Sequence, residues 1–236
     1  MTPIKMTTIL FWDIDGTLLT TDRAGIFALE DAAREIIGKE IDLSNLNTAG
    51  ATDRLLAAQI LELGGITPDD GKIDQLLQVY GEYLPESLTR KQGGVLPGVK
   101  EILSHLHPNR NDVVSLLLTG NTSVGARAKL TYYGLDSYFN FTQGGFSDTV
   151  ADRKAIARQA LTSAQELVGE INLEKVYVIG DTPHDISCCQ AIGARSIAVA
   201  TGSFKLEELQ EHNPWWAIPC LPTPDVFIDK ISLRNY

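Results

Sequence analysis

The stretch "FWDIDGTLL", residues 11–19, closes an apolar run, "TTILFWD" (7–13), and sets two aspartates one residue apart before a glycine and a threonine. The run is too short for a helix and is rich in apolar and β-branched residues, as a strand buried on both faces would be. Three more runs have the same form and end in polar or glycine-bearing turns: "VVSLLLTGN" (113–121), "VYVIGD" (176–181) and "SIAVATG" (196–202). Helical patterns lie between them. "GVKEILSHL" (98–106) puts Val99, Ile102, Leu103 and Leu106 on one face, and "AIARQALTSAQELVG" (155–169) does so with Ile156, Ala160 and Leu167. Strand and helix alternate from about residue 95 onward. The pattern predicts an α/β fold: an open parallel sheet wound with helices on both faces. "DVFIDKI" near the C-terminus reads as one more strand.

Residues 18–94 read differently. "AGIFALEDAAREIIG", "ATDRLLAAQILELGG" and "DDGKIDQLLQVYGEYLPESL" are amphipathic helical stretches separated by Gly, Pro, Asn and Asp. They predict a small all-helical domain inserted after the first strand, with "RKQGGVLPG" (90–98) as the return linker. The core is then expected from residues 1–17 and 95–236, and the insertion from 18–94.

A chain of 236 residues, 44% hydrophobic, is long enough for such a core with its insertion. Its formal net charge of −10 argues against a nucleic-acid surface, because phosphate backbones are met by clustered Lys and Arg. An anionic small molecule remains compatible if a metal or a local basic group offsets the repulsion. The N-terminal stretch "MTPIKMTTILFW" lacks the features of a secretory signal, and no apolar run is long enough to span a bilayer. Both point to a cytoplasmic protein that does not engage membranes. Cys188, Cys189 and Cys220 form neither a disulfide framework nor a zinc spacing, and read as buried thiols used as small apolar side chains.

Ligands of open α/β sheets bind beyond the carboxyl ends of the strands, so the residues following each run are the candidate site. The first strand delivers Asp13, Asp15, Gly16 and Thr17; the second delivers Thr119, Gly120 and Asn121; "VYVIGDTPHD" delivers Gly180, Asp181, Thr182 and Asp185. "DTVADRKAIA" offers Arg153 and Lys154 ahead of a helix. Acids, a hydroxyl and a cation would meet on one edge.

Taken in order, "DIDGT", "TGN", "DRK" and "GDTPHD" resemble the four motifs of the haloacid dehalogenase-like superfamily of phosphatases. The resemblance is to its branch with a helical cap after the first strand, where phosphoglycolate phosphatases fall. It covers nearly the whole chain, and "PGVKEIL" and "YYGLDSYF" resemble the family's connecting segments. It implies a Mg²⁺-dependent hydrolase of a small phosphomonoester, phosphoglycolate-like or a sugar phosphate, working through an aspartyl-phosphate. Asp13 would be the nucleophile, and Asp15 would protonate the leaving alcohol and then activate water. The metal would be held by the Asp13 carboxylate, the Asp15 carbonyl and the Asp181 carboxylate, with Asp185 a direct ligand or an orienting neighbour. Thr119 would donate to a phosphate oxygen, with Gly120 and Asn121 assisting, and Gly16 and Thr17 belong to the same phosphate end.

The third motif departs from the commonest form, a lysine followed by prolines. Arg153 and Lys154 compete for its role; the resemblance to related chains with a "DR" pair here implies Arg153, whose fork also suits both phosphate and Asp13. In the cap, "NTAGATDRLL" (47–56) is the candidate specificity segment, where Thr52, Asp53 and Arg54 could reach inward or Thr52 or Asp53 could only cap a helix. His184 reads as an exposed loop histidine, Phe11 and Trp12 as core, and "PWWAIP" (214–219) as packing under the C-terminal strand. Asp15, two residues after the nucleophile, disfavours a true dehalogenase. A hexose-phosphate mutase on the same core stays open, as does, from another class, a catalytically inactive binding protein.

Overall fold

The computed structural model describes residues 7–107, 110 and 112–231; the outer ends of the expected core, 1–6 and 232–236, and Pro108 lie outside them. The chain runs β1 (Thr8–Trp12), β2 (Leu19–Thr20), α1 (Ala24–Ile37), α2 (Asp53–Leu63), α3 (Asp70–Thr89), β3 (Gly94–Val95), α4 (Val99–Leu106), β4 (Val113–Leu118), α5 (Ser123–Tyr132), β5 (Gly144–Gly145), α6 (Arg153–Val168), β6 (Val176–Gly180), α7 (Pro183–Ala191), β7 (Arg195–Val199), α8 (Leu206–Glu211), β8 (Trp216–Ile218) and α9 (Pro224–Lys230).

Six strands form one parallel sheet in the order β5-β4-β1-β6-β7-β8. β1 is central and buried throughout, which is why its sequence is a continuous apolar run rather than an alternation. Its side chains still alternate between the two layers. Leu10 and Trp12 enter the core shared with α4, α5 and α9, whereas Ile9 and Phe11 enter the core formed with α6 and α7. Strand β4 pairs with β1 from Thr8↔Val113 to Trp12↔Leu117, and β6 from Ile9↔Val176 to Trp12↔Ile179. The residues after Trp12, Leu118 and Gly180 therefore emerge side by side at one sheet edge.

Helices α1, α2 and α3 make a separate apolar cluster that includes Leu29, Leu56, Ile60, Leu76, Tyr80 and Leu84. This cap is carried on a short antiparallel ribbon in which Leu19 pairs with Val95 and Thr20 with Gly94. The ribbon lies at the two ends of a segment expected to be a helical insertion and its return linker. Helix α3 also packs on α5 of the core.

Three expectations change. "DVFIDKI" is helix α9, not a strand: Pro224 sits in its first turn, and Phe227, Ile228 and Ile231 are buried at helical spacing while Val226 is 51% exposed. Leu167 is 44% exposed, so the buried face of α6 is Ile156, Ala157, Ala160 and Ala164 instead. "PWWAIP" contributes the edge strand β8, and Trp216 packs on Phe227 of α9 at 6.4 Å between ring centroids. No helix among the described residues is long and apolar enough to cross a membrane.

Candidate active site

Asp13 leaves β1 with its N–H donating to Ile179 O at 3.0 Å, which fixes the carboxylate over the sheet edge. The chain then turns sharply: Leu18 and Leu19 donate to Ile14 O, and Gly16 donates back to Leu19 O at 2.9 Å. Gly16 takes φ 81, a conformation open to glycine at little cost. A Cβ there would also lie 2.9 Å from Asp181 Oδ1. Thr17 donates its hydroxyl to that same oxygen at 3.1 Å. Asp181, at the end of β6, and Asp185, in the first turn of α7, complete the set. The helix is capped by Thr182 rather than Asp181, and Thr182 and Asp185 hold one another in a reciprocal capping box.

Asp13, Asp181 and Asp185 are all buried, and one carboxylate oxygen from each lies within 4.8 Å of the other two. Burial, then the neighbouring carboxylates, push Asp13 and Asp181 well above the usual carboxylate range. Among the described residues, a guanidinium pairs with them directly. Arg153, in the first turn of α6, pairs with Asp185 and lies 3.6 Å from Asp13. Burial works against its charge, but Asp185 and Asp13 outweigh burial and hold the guanidinium more firmly protonated. Three carboxylates against one guanidinium leave a formal surplus of two negative charges in a space lined by oxygen atoms. That donor set fits a hard divalent cation. Asp185 has both oxygens engaged, one by Arg153 and the other by Thr182 N at 3.0 Å and Oγ1 at 2.7 Å, as befits an orienting residue.

Asp15 faces a different cation. Its Oδ2 accepts from Lys129 Nζ at 2.6 Å and from Asn121 Nδ2 at 2.9 Å. The two aspartates of "DIDGT" thus coexist because each has its own positive partner, Arg153 for Asp13 and Lys129 for Asp15. Thr119 follows β4, its N–H bonded to Gly145 O at 3.0 Å, and its hydroxyl lies close enough to Asp13 to pull that carboxyl down against its burial. The Asn121 N–H donates to Thr119 Oγ1 at 3.3 Å, so the Asn121 side chain, not its backbone, addresses the site.

The cap closes over this edge through the start of α2. Thr52 caps α2 by accepting from Leu55 N and donates to Ala151 O at 3.0 Å in the core. Asp53 N–H donates to Gly120 O at 2.7 Å, and Asp53 Oδ2 accepts from Thr122 N at 2.8 Å. Burial pushes the Asp53 carboxyl up to about 6, against the lowering effect of Lys129. Between cap and core lies a cavity of about 440 Å³ whose floor is Asp13, Asp15, Thr119, Arg153 and Asp181. Its cap wall combines Ile26, Leu29, Leu56 and Tyr80 with the polar Arg23, Thr48 and Asp53.

The profile of the haloacid dehalogenase-like hydrolases matches residues 9–199, a span that starts at β1 and ends at β7 and so contains all four site segments. The chain belongs to that family. Within the curated proteins, this haloacid dehalogenase-like hydrolase is 26% identical over 211 residues to a protein of Dickeya dadantii named "Probable phosphatase IndB", covering 89% of this chain and 88% of that one. It is 22% identical over 229 residues to a phosphoglycolate phosphatase of Pectobacterium atrosepticum, covering 94% and 88%. Among solved structures, a hydrolase of the same superfamily from Entamoeba histolytica superposes with a TM-score of 0.70 at 19% identity, covering 96% of this chain and all of that one.

Within this hydrolase fold, Asp13, Asp15, Gly16, Thr119, Gly120, Asn121, Arg153 and Asp181 share the cavity. Thr17 and Asp185 stand directly behind Asp181 and Arg153. Of the two candidates in "DRK", Arg153 enters the site and Lys154 is exposed on α6. Arg54 turns away from the cavity: it bonds Asp70 at 2.6 Å, Asp74 at 2.5 Å and Asp148 O at 3.1 Å, so it joins α2 to α3 and the cap to the core. His184 is exposed. The sequence reading did not single out Lys129 or the loop after β7, where Thr201 donates to Gly16 O at 2.6 Å. Position 129 lies seven residues after Thr122, on the same face of α5, and that spacing is its one sequence signal.

Proposed function

We propose that the protein is a Mg²⁺-dependent phosphatase of a small phosphomonoester. The observation that carries the reading is the buried group of Asp13, Asp181 and Arg153, with Thr119 beside it, on the floor of a cavity closed by the cap. The phosphatase names of the curated relatives agree with it. Asp13 and Asp181 carboxylates and the Asp15 carbonyl would hold the cation, which supplies charge neutralisation to the phosphoryl oxygens and keeps Asp13 ionised.

Arg153 and Thr119 bind and orient the phosphate. An Asp13 oxygen attacks phosphorus, and the bond from phosphorus to the ester oxygen breaks with its electron pair on the departing alcohol. Asp15 gives that oxygen a proton. In the second half, Asp15 takes a proton from water as its oxygen attacks the aspartyl-phosphate, which releases phosphate and restores Asp13. The cap excludes bulk water from the first step. A cavity of about 440 Å³ falls in the range of small-metabolite sites, and a cap wall that mixes Ile26, Leu29 and Leu56 with Arg23 and Asp53 suits the carbon skeleton and polar groups of a phosphorylated acid or sugar. Cys188 and Cys189 are buried as expected, whereas Cys220 is exposed, and three free thiols suit a reducing, cytoplasmic setting.

The test is phosphate release from a panel of phosphorylated metabolites and from p-nitrophenyl phosphate, with and without Mg²⁺. Asp13→Asn should abolish release and the acid-stable trapping of phosphate on the protein. Wild-type turnover by that variant would overturn covalent catalysis at Asp13, and sugar-phosphate isomerisation without phosphate release would replace the phosphatase by a mutase.

A further inference from the structure

Lys129 belongs to a core helix, yet its ammonium is buried at the seam between core and cap, only 5% of the residue being exposed. Such a charge is retained where it has partners. Lys129 donates to Asp15 Oδ2 and to Asn121 Oδ1, both at 2.6 Å. Asn121 in turn donates through Nδ2 to the same Asp15 Oδ2 at 2.9 Å and to Thr119 Oγ1 at 2.9 Å. Both donors fall on one oxygen of Asp15, and Oδ1 is left for the cavity. The Asp15 side chain is 44% exposed, so without this clamp water would surround it and its rotamers would be open.

The cap adds to the arrangement. Thr122, at the start of α5, holds the buried Asp53 of α2 at 2.8 Å, and the charges of Asp53 and Asp15 both act on Lys129 two helical turns later. The N-terminus of α5 therefore carries a cap contact through the Thr122 N–H, and Lys129 further along the helix carries the Asp15 contact. We propose that Lys129 is a positioning residue: it fixes Asp15 so that Oδ1 meets first the leaving group and then water, and it does so against the docked cap.

The proposal rests on the phosphatase reading, and its experiment separates the two. Initial rates are measured with Mg²⁺ on phenyl phosphate, whose leaving group needs a proton, and on p-nitrophenyl phosphate, whose leaving group needs it far less. Lys129→Met should lower kcat on phenyl phosphate by about 10- to 100-fold, with a smaller loss on the nitrophenyl ester and KM within about threefold. In an Asp15→Asn background the same substitution should cost less than about threefold, because the group it positions has already been removed. Should Met at this buried position prevent folding, Lys129→Gln, which keeps a donor on an unbranched side chain, should show the same pattern across the two esters and the Asp15→Asn background with a smaller loss. Wild-type turnover with an unimpaired Lys129 variant, a loss confined to KM, or an equal loss in the Asp15→Asn background would overturn the positioning role alone. A wild-type protein that releases phosphate from neither ester would overturn both readings.

Discussion

Gly202, in the loop after β7, tests the carboxylate cluster without touching any of its charges. A Cβ at this position would lie 2.6 Å from Asp181 Cγ, with Oδ2 closer still, whereas ordinary contact begins at 3.4 Å. Gly202→Ala must therefore drive the Asp181 carboxyl back by at least 0.8 Å, the difference between those two distances. Asp181 has little room to yield, being buried and bonded to Thr17 on one side with the Cβ direction of Gly16 on another. Magnesium tolerates little departure from near-octahedral geometry, so a carboxylate displaced by that much is a poorer ligand. Disturbing the support of a metal ligand costs about 10- to 100-fold in metal affinity, or roughly 1.4 to 2.7 kcal/mol. Backbone strain adds nothing here, because the glycine is not in the left-handed region. The assay is Mg²⁺ activation of phosphate release from p-nitrophenyl phosphate, with Mg²⁺ binding to the same protein followed by calorimetry. The half-saturating Mg²⁺ concentration should rise by that factor while circular dichroism stays unchanged. A folded Gly202→Ala protein with the wild-type Mg²⁺ response would refute the placement of Asp181 at the metal.

Two more outcomes follow from the electrostatics and from the seam between cap and core. With metal removed, Asp13 and Asp181 titrate near about 7 and 8, above the value of about 3.9 for an unfolded aspartate. Between those limits the native state holds more protons than the unfolded state, so metal-free stability should fall as pH rises through the window. Mg²⁺ must displace those protons, so the thermal shift it produces should grow from about pH 5 to about pH 8, and a flat response would contradict the clustered acids. Arg54→Ala removes a nearly buried guanidinium from Asp148 O, Asp70 and Asp74, where the carboxylate partners are exposed and contribute little. The melting temperature should drop by the equivalent of about 1 to 3 kcal/mol with kcat/KM within about threefold. A large loss of kcat/KM at an unchanged melting temperature would instead return Arg54 to substrate binding.

Sequence reading was strongest where a local pattern determines structure. A strand buried on both faces has to be a short apolar run, and a parallel sheet sends every such run out at the same edge, so Asp13, Thr119 and Asp181 could be placed together from order alone. It failed for "DVFIDKI" because Val226, Phe227, Ile228 and Ile231 satisfy a strand's composition. Spacing was the better guide there: Phe227, Ile228 and Ile231 are one helical face, and a threonine followed by proline is a helix start. β5 has two residues and β8 has three, so neither carries a period to read.

Lys129 shows why the remainder of the site could not be read. Nothing around position 129 is unusual for an amphipathic helix, and a lysine there reads as a solvated side chain. Its meaning comes from Asp15, 114 residues away, and from a cap helix that the chain visits in between. The motif "DIDGT" does contain a clue, because two carboxylates so close require more positive charge than "DRK" alone delivers once Arg153 is committed to Asp185 and Asp13. The unanswered charge is Asp15, and a second cation had to come from some other segment. Lys129→Met in the Asp15→Asn background decides whether that cation serves Asp15: the double variant should be no slower than Asp15→Asn by more than about threefold. Independent, multiplying losses would mean that the seam needs the lysine for its own stability and that the acid/base carboxylate is aligned by Asn121 alone.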